Sequence, residues 1–181
     1  MNVFIGGSRK IRRLDEQTIA RLENVVSNGM TILVGDANGA DKAVQQFIAE
    51  SGYDNVVVYH VGDRPRNNLG EWRTESVDTD RKTKDYLYYT SKDRRMAEDA
   101  DYGFMIWDGE SAGTYSNLLE LVTRNKKSLV YFTPERSFFT VSTLEDLYGA
   151  LDRCPEKARA TIERKYQTPL LVAEPETRYG E

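Results

Sequence analysis

Residues 30–50 read MTILVGDANGADKAVQQFIAE and join a strand pattern to a helix pattern through a glycine-containing turn. The apolar run Met30 to Val34 is typical of a strand that is covered on both faces, and Ala40 to Ala49 carries apolar residues at helical spacing. The turn between them, residues 35–41, contains two glycines and two aspartates. This stretch therefore predicts the strand, turn and helix from which parallel α/β sheets are built.

Two further turns follow the same plan. Residues 6–9, Gly-Gly-Ser-Arg, come directly after an apolar strand pattern, and residues 108–114, Asp-Gly-Glu-Ser-Ala-Gly-Thr, follow the most hydrophobic one. The alternation of strands and helices predicts an α/β, Rossmann-like three-layer fold with a mainly parallel sheet of about five strands. The predicted strands cover residues 2–5, 30–34, 55–61, 102–107 and 128–133.

The pattern also predicts a division of the chain. A Rossmann-like domain over residues 1–133 is followed by C-terminal helices and a tail over residues 134–181, because the alternation ends after Pro134. Residues 62–80 lose their periodicity and are polar around Trp72. A loop of this length is more often a functional flap than a connector, with a charged surface loop anchored by Trp72 as the alternative.

Composition narrows the function classes. The 181 residues carry a formal net charge of −4, one histidine and one cysteine, which excludes an internal disulfide and any zinc site built on several histidines. No apolar run approaches the roughly 20 residues of a membrane span, and no signal-peptide pattern is present, so the expected location is the cytoplasm. Because this charge gives no broad basic field, nucleic acid is expected to be an unlikely partner, with a local basic patch left open.

The three turns are the candidate binding site. The carboxyl ends of parallel strands meet at one edge of the sheet, where open α/β sheets bind ligands. Small residues there let backbone N–H groups approach an anion, and helix N-termini add partial positive charge, so a phosphorylated, nucleotide-like ligand is predicted. The residues predicted to bind it are Gly6, Gly7, Ser8, Arg9, Gly35, Asp36, Gly39, Asp41, Asp108, Gly109, Ser111, Gly113 and Thr114.

Several of these residues also have purely structural interpretations. Asp41 falls in the first turn of a helix, where a carboxylate complements the helix dipole. Thr114 is a suitable N-cap, and Arg9 can be a solvated side chain beside a tight turn. Asp36 is the stronger ligand candidate, because a carboxylate at the end of a buried strand must face a crevice or a hydrogen-bonding partner.

The order and spacing of four segments resemble the SLOG superfamily of Rossmann-like proteins, which includes the Smf/DprA DNA-processing proteins, the LOG phosphoribohydrolases and many bacterial and phage proteins. The segments are residues 6–9, 35–43, 93–96 and 107–114, and the similarity covers residues 1–133. The resemblance implies a sensor or regulator that binds a nucleotide or a nucleotide-derived ligand across the glycine turns. It also implies that Arg94 or Arg95 reaches the ligand from the preceding helix.

One departure from the family pattern bears on activity. The phosphoribohydrolases resemble Pro-Gly-Gly-x-Gly-Thr-x-x-Glu at the third turn, whereas this chain has Asn117 at the position of the glutamate. Cleavage of an N-glycosidic bond needs a carboxylate, for which Asp36, Asp108 and Glu120 are the candidates. A nucleotide hydrolase is therefore one alternative function, and a single-stranded DNA-binding protein is the second.

Cofactors and assembly are less strongly indicated. The carboxylates are scattered along the sequence, so no metal site is predicted, and Mg²⁺ held through a phosphate of the ligand stays open. A homodimer supported by the C-terminal helices is the expected assembly.

Overall fold

Strands and helices alternate along the part of the chain that the computed structural model describes, residues 1–78 and 86–166. The strands are β1 (Asn2–Gly7), β2 (Thr31–Gly35), β3 (Val56–His60), β4 (Arg73–Ser76), β5 (Tyr102–Trp107), β6 (Ser128–Phe132) and β7 (Ser137–Val141). The helices are α1 (Glu16–Ser27), α2 (Ala40–Glu50), α3 (Tyr86–Asp99), α4 (Ala112–Val122), α5 (Leu144–Ala150) and α6 (Glu156–Tyr166). The predicted C-terminal tail and residues 79–85 lie outside the described residues.

The strands form one sheet in the order β4-β3-β2-β1-β5-β6-β7. All neighbouring pairs are parallel except β6 and β7, which are antiparallel. The chain moves outward from β1 in one direction through β2, β3 and β4, and in the other through β5, β6 and β7. The strand order therefore reverses between β1 and β5, and this is the place where open α/β sheets form a ligand crevice.

Helices cover both faces of the sheet. One apolar cluster contains Leu22 of α1 and Val44 of α2, and the other contains Met96 of α3 and Leu118 of α4. The central strands carry apolar residues on both faces for this reason, and all five residues of β3 are buried. The predicted α/β three-layer fold is confirmed.

The two outermost strands were not among the predicted ones. β4 lies inside the predicted loop 62–80, and its four residues, Arg-Thr-Glu-Ser, are all exposed. β7 follows the turn after Pro134 and extends the sheet beyond residue 133, so the C-terminal part contributes a strand as well as helices. β4 contains no apolar residue, so the hydrophobic pattern does not mark it, whereas β7, Ser-Phe-Phe-Thr-Val, has alternate residues facing inward and is a strand that the sequence pattern could have indicated.

The backbone of the turn after β1 packs closely against the turn after β2 and against β5. Gly39 has a φ of +88°, and a Cβ at this position would overlap the backbone of Arg9. A Cβ on Gly7 would overlap the carbonyl oxygen of Ile106 and lie 2.8 Å from the Cβ of Ala40. Glycines are required at both positions, and the turns after β1 and β2 pack together at the carboxyl edge.

In the described residues, no helix combines the length and the apolar character needed to cross a lipid bilayer.

The Gly39→Ala substitution tests this packing. We expect it to lower the free energy of unfolding by about 3 kcal/mol or more, because it adds a steric overlap to an unfavourable positive φ. Gly29→Ala is the matched control, since Gly29 also has a positive φ of 63° but a Cβ there meets nothing within 4 Å. Urea unfolding of both variants measures the difference, and equal losses would show that the contact with Arg9 is unimportant.

Candidate nucleotide or nucleic-acid site at the carboxyl edge

A cavity of about 590 Å³ opens at the carboxyl edge of the sheet, and residues from all three glycine turns and from α3 line it. The predicted binding residues that line it are Gly7, Arg9, Asp41, Asp108, Ser111, Gly113 and Thr114. The predicted residues that do not are Gly6, Ser8, Gly35, Asp36, Gly39, Arg94, Gly109 and Glu120. We call this cavity the crevice.

Ser8 is buried and holds the first and third turns together. Its Oγ donates a hydrogen bond to Oδ1 of Asp108 at 2.8 Å and lies 3.3 Å from Oγ1 of Thr114. Its backbone N–H donates to the carbonyl oxygen of Ile106, and its own carbonyl oxygen accepts from the N–H of Ala40. The Ser8 hydroxyl, which was predicted to bind a phosphate, therefore forms hydrogen bonds within the protein instead.

Asp108 organises the third turn. Besides the bond from Ser8, its Oδ1 accepts hydrogen bonds from the backbone N–H groups of Glu110 at 3.0 Å and Ser111 at 2.9 Å. Gly109 has a φ of +73°, and a Cβ there would lie 2.9 Å from the ring of Phe132. The carboxylate and the glycine thus shape the turn, with Asp108 also lining the crevice.

The N-terminus of α4 faces the crevice. Ser111, rather than Thr114, is its N-cap, and the Oγ of Ser111 accepts a hydrogen bond from the N–H of Thr114. Within the described residues the N–H groups of Ala112 and Gly113 donate no hydrogen bond. Of these two residues Gly113 lines the crevice, and its N–H together with the helix dipole suits an anion there.

Asp36 is committed to the loop that follows β3. Its carboxylate accepts hydrogen bonds from Nε of Arg66 at 3.0 Å, Nη2 of Arg66 at 2.6 Å and the backbone N–H of Arg66 at 3.0 Å. Burial opposes ionisation, but these bonds and the nearby Lys92 hold the pKa of Asp36 below its usual value. The guanidinium of Arg66 also lies 4.7 Å from the ring centroid of Tyr89, which lines the crevice.

The same loop is anchored at its far end. The indole N–H of Trp72 donates a hydrogen bond to the carbonyl oxygen of Tyr53 at 2.9 Å, and the side chain is buried. Asn67 donates to the carbonyl oxygen of Asp36 at 2.7 Å. Residues 66–72 are therefore tied to the turn after β2 and to the turn after α2, which agrees with the anchored-loop interpretation of the sequence.

Charged side chains form the inner wall of the crevice, and two of them, Lys92 and Asp41, are buried. Lys92 of α3 is 4% exposed, and its Nζ lies 2.5 Å from Oδ1 of Asp93. Asp41 also lies near the ammonium group, since a Cβ on Gly35 would overlap Asp41 and lie 2.6 Å from Nζ of Lys92. Burial raises the pKa of Asp41 to about 6, against the opposing effect of Lys92. Burial alone would lower the pKa of Lys92, but Asp93 and Asp41 raise it.

Lys92 and Asp93 were not among the predicted binding residues. The sequence did contain a signal, because Tyr89, Met96 and Ala100 define one face of the predicted helix and Lys92 falls on that apolar face. A lysine at such a position requires a buried partner.

The remaining predicted residues lie elsewhere. Arg94 is exposed, and its Nε lies 3.5 Å from Oε1 of Glu120, which also pairs with Arg124 at 2.5 Å. Neither Arg94 nor Glu120 lines the crevice. Asn117 does line it, and this residue is only 8% exposed. Its Oδ1 is buried and has no hydrogen-bond partner among the described residues.

Exposed basic residues begin at the rim of the crevice, where Arg9 and Lys10 line it. Arg9, Lys10, Arg12 and Arg13 are all exposed, and Lys10 forms an ion pair with Glu110 across the rim. Arg12 also lines a second, more open cavity of about 420 Å³ together with Lys42 of α2. We call residues 9–13 the basic segment.

Metal ligands are not clustered in the described residues: there, no group of three histidine, cysteine, aspartate or glutamate side chains is placed to hold a metal ion. Mg²⁺ bound through a phosphate stays a prediction.

Comparison with solved structures identifies a protein with a similar fold. No protein-family model matches the chain, and no curated protein matches it. Among solved structures the chain is similar to DNA processing protein A from Helicobacter pylori, which was studied for its single-stranded DNA binding mode. The identity is 16% and the TM-score 0.57, over 92% of this chain and 80% of that one. The chain therefore has a fold like that of the Smf/DprA proteins, and membership of SLOG stays a prediction.

This comparison corrects one expectation. The net charge of −4 predicted that nucleic acid is an unlikely partner, and that prediction is wrong, because the similar structure is that of a protein that binds single-stranded DNA. Net charge describes the whole surface, whereas binding depends on where the charges lie. In this chain, four exposed basic residues are concentrated in the basic segment.

The raised pKa of Asp41 predicts a specific pH dependence of stability. Because the native carboxyl titrates near pH 6 and the unfolded one near its ordinary value of 3.8, the native state binds more protons between these values, and stability falls as the pH rises through them. We expect the free energy of unfolding to fall by about 1 kcal/mol more in the wild type than in Asp41→Asn between pH 5 and pH 7. Urea unfolding at both pH values measures this, and parallel changes would contradict it.

Proposed function

We propose that this protein binds single-stranded DNA at the carboxyl edge of its sheet. The basic segment contacts the backbone phosphates, and the crevice receives part of one nucleotide. The observation that carries this proposal is the continuity of the positive surface. The exposed cations of residues 9–13 run from the rim of the crevice to the second cavity, where Arg12 and Lys42 lie together.

The chemistry of this surface suits a phosphate backbone. Arginine and lysine supply the sequence-independent part of nucleic-acid affinity by displacing condensed counterions. The N–H group of Gly113, which has no hydrogen-bond partner among the described residues, adds a donor at the crevice itself. A helix N-terminus beside exposed arginines is a common arrangement for contacting phosphate oxygens.

Support also comes from the fold. DNA processing protein A, the similar structure, binds single-stranded DNA. An extended ligand accounts for two separate cavities on one surface better than a single small molecule does, because a strand spans several phosphates.

A free nucleotide is the second candidate. The crevice volume of about 590 Å³ falls within the usual range of small-ligand sites, roughly 300–1,000 Å³. Nucleoside monophosphates that stabilise the protein in a thermal-shift assay, together with an oligonucleotide affinity that does not change with salt, would favour this candidate over the first. Recovery of the intact nucleotide by chromatography would distinguish a sensor from a hydrolase.

The Arg9→Ala variant tests the proposed strand contact. We expect about tenfold weaker binding of a labelled single-stranded oligonucleotide and a salt dependence whose slope is lower by about one, because one charge-assisted phosphate contact is lost. Fluorescence anisotropy over a salt series measures both quantities.

Arg73→Ala is the matched control. Arg73 is an exposed arginine at the amino end of β4, on the opposite edge of the sheet from the crevice. We expect wild-type affinity and salt dependence for this variant. Equal effects of the two substitutions would show only a general charge effect, and unchanged binding in Arg9→Ala would contradict the proposed surface.

A further inference from the structure

A cavity of about 610 Å³ lies at the amino edge of the sheet, opposite the crevice, and we call it the amino-end cavity. Helix α3 reaches both sites, because Lys92 and Asp93 line the crevice while Arg95 and Asp99 line the amino-end cavity. No residue of the basic segment lines it, so it is separate from the proposed DNA surface. The first residues of four neighbouring strands also line it: Asn2, Thr31, Val56 and Arg73.

Strand pairing places two opposite charges of β4 side by side in this cavity. Val57 pairs with Arg73 and Tyr59 pairs with Glu75, and Val57 and Tyr59 both belong to the apolar cluster on the α3 side of the sheet. Side chains of paired residues point to the same face, so Arg73 and Glu75 also lie on the α3 side. Two residues of strand separate them, which is about 7 Å along the backbone.

Hydrogen bonds to one carboxylate hold the wall that α3 contributes. The hydroxyl of Tyr59, a residue only 4% exposed, donates to Oδ2 of Asp99 at 2.8 Å. Nε of Arg95 donates to the same oxygen at 2.9 Å. Among the described residues the two Nη atoms of Arg95 form no hydrogen bond. Asp99 therefore positions the guanidinium of Arg95 at the cavity and leaves donors of that group for a ligand.

Other charged side chains of both signs line the amino-end cavity without a bonding partner. Within the part of the chain that the structure describes, Arg73, Asp54 and Glu75 form no side-chain hydrogen bond and no ion pair. Asp99 and, to a smaller extent, Glu75 raise the pKa of Arg95, which places the carboxylate of Glu75 near that guanidinium. A cationic and an anionic binding group are thus available close together.

The balance of charge selects the kind of ligand. Two arginines and three acids line the amino-end cavity, which gives it a net charge of −1 when all are ionised. A simple anion such as phosphate meets repulsion from the acids, and a simple cation leaves the arginines without a partner. A small molecule that carries one positive and one negative group pairs with both kinds of side chain.

Apolar contact contributes little at this site. Leu33 and Val57 line the amino-end cavity, but they are only 2% and 3% exposed. Binding there depends on charge and hydrogen bonding, which favours a small polar molecule over a large apolar one.

We propose that the amino-end cavity binds a free α-amino acid. Such a molecule carries its carboxylate and its ammonium on one carbon atom. The carboxylate pairs with the guanidinium groups of Arg73 and Arg95, and the ammonium donates hydrogen bonds to the carboxylate of Glu75. This ligand site goes beyond the proposed function and does not depend on DNA binding at the crevice.

Isothermal titration calorimetry at low ionic strength tests this proposal. The probes are the standard L-amino acids and, for each one that binds, its decarboxylated amine and its deaminated acid. We expect at least one amino acid to bind and each of its two singly charged counterparts to bind about fivefold or more weakly. Each counterpart loses one of the two ion pairs, and an ion pair at a solvent-exposed site contributes up to about 1 kcal/mol.

Matched variants locate the bound amino acid. Arg73→Gln and Glu75→Gln should each weaken its binding about fivefold, because each removes one of the proposed ion pairs. Arg94→Gln and Glu23→Gln should behave as the wild type, since both residues are exposed and neither lines the amino-end cavity. Arg95→Gln serves in place of Arg73→Gln if thermal unfolding shows that the β4 variant is not folded.

The outcomes are distinguishable. If no standard amino acid binds, or if a singly charged counterpart binds as tightly as the amino acid, the proposal is overturned. If an amino acid binds but the arginine and Glu75 variants keep wild-type affinity, the ligand lies elsewhere and the site is wrong. Oligonucleotide binding by the same variants should equal that of the wild type, so failure here leaves the proposed DNA binding intact.

Discussion

The close packing of the first two glycine turns is the constraint on which the rest of the site depends. Gly39 lies against the backbone of Arg9, and Gly7 lies against the end of β5, so the three strand ends approach more closely than any side chain at these positions would allow. Ser8 then bonds to Asp108, and the third turn is fixed relative to the first. The positions of the rim cations and of the α4 N-terminus follow from these contacts.

Buried charge is the second feature that sets this edge apart. Asp36, Asp41 and Lys92 are buried ionisable groups, and each lies near an opposite charge: Asp36 pairs with Arg66, and Lys92 lies near Asp41 and Asp93. The two groups have different structural consequences. Asp36 fixes a loop, because its carboxylate accepts hydrogen bonds from Arg66 and its backbone carbonyl accepts one from Asn67. The Lys92 group faces the crevice, where perturbed ionisable side chains are associated with function.

The sequence predicted those parts of the fold that depend on periodicity. The five central strands, the flanking helices and the meeting of three turns at one edge follow from apolar runs and glycine positions. The edge strand β4 carries no such pattern, whereas β7 has an alternation that could have indicated it. Whether each turn residue contacts a ligand or another part of the protein was harder to predict, because this depends on residues far apart in the sequence. Ser8 and Asp108, for example, are one hundred positions apart, and Ser8 donates a hydrogen bond to Asp108. Lys92 is another case in which a signal existed, a cation on an apolar helix face.

The net charge of the chain misleads about its partners because opposite charges occupy different depths of the same site. Of the four acids that line the crevice, Asp41 and Asp93 lie near Lys92, which partly neutralises them, whereas Arg9 and Lys10 of the basic segment are exposed to solvent at the rim. In the proposed complex a DNA strand approaches the rim first, and at physiological salt a charge acts mainly within about 8 Å, so the exposed cations govern that encounter more than the total of −4 does.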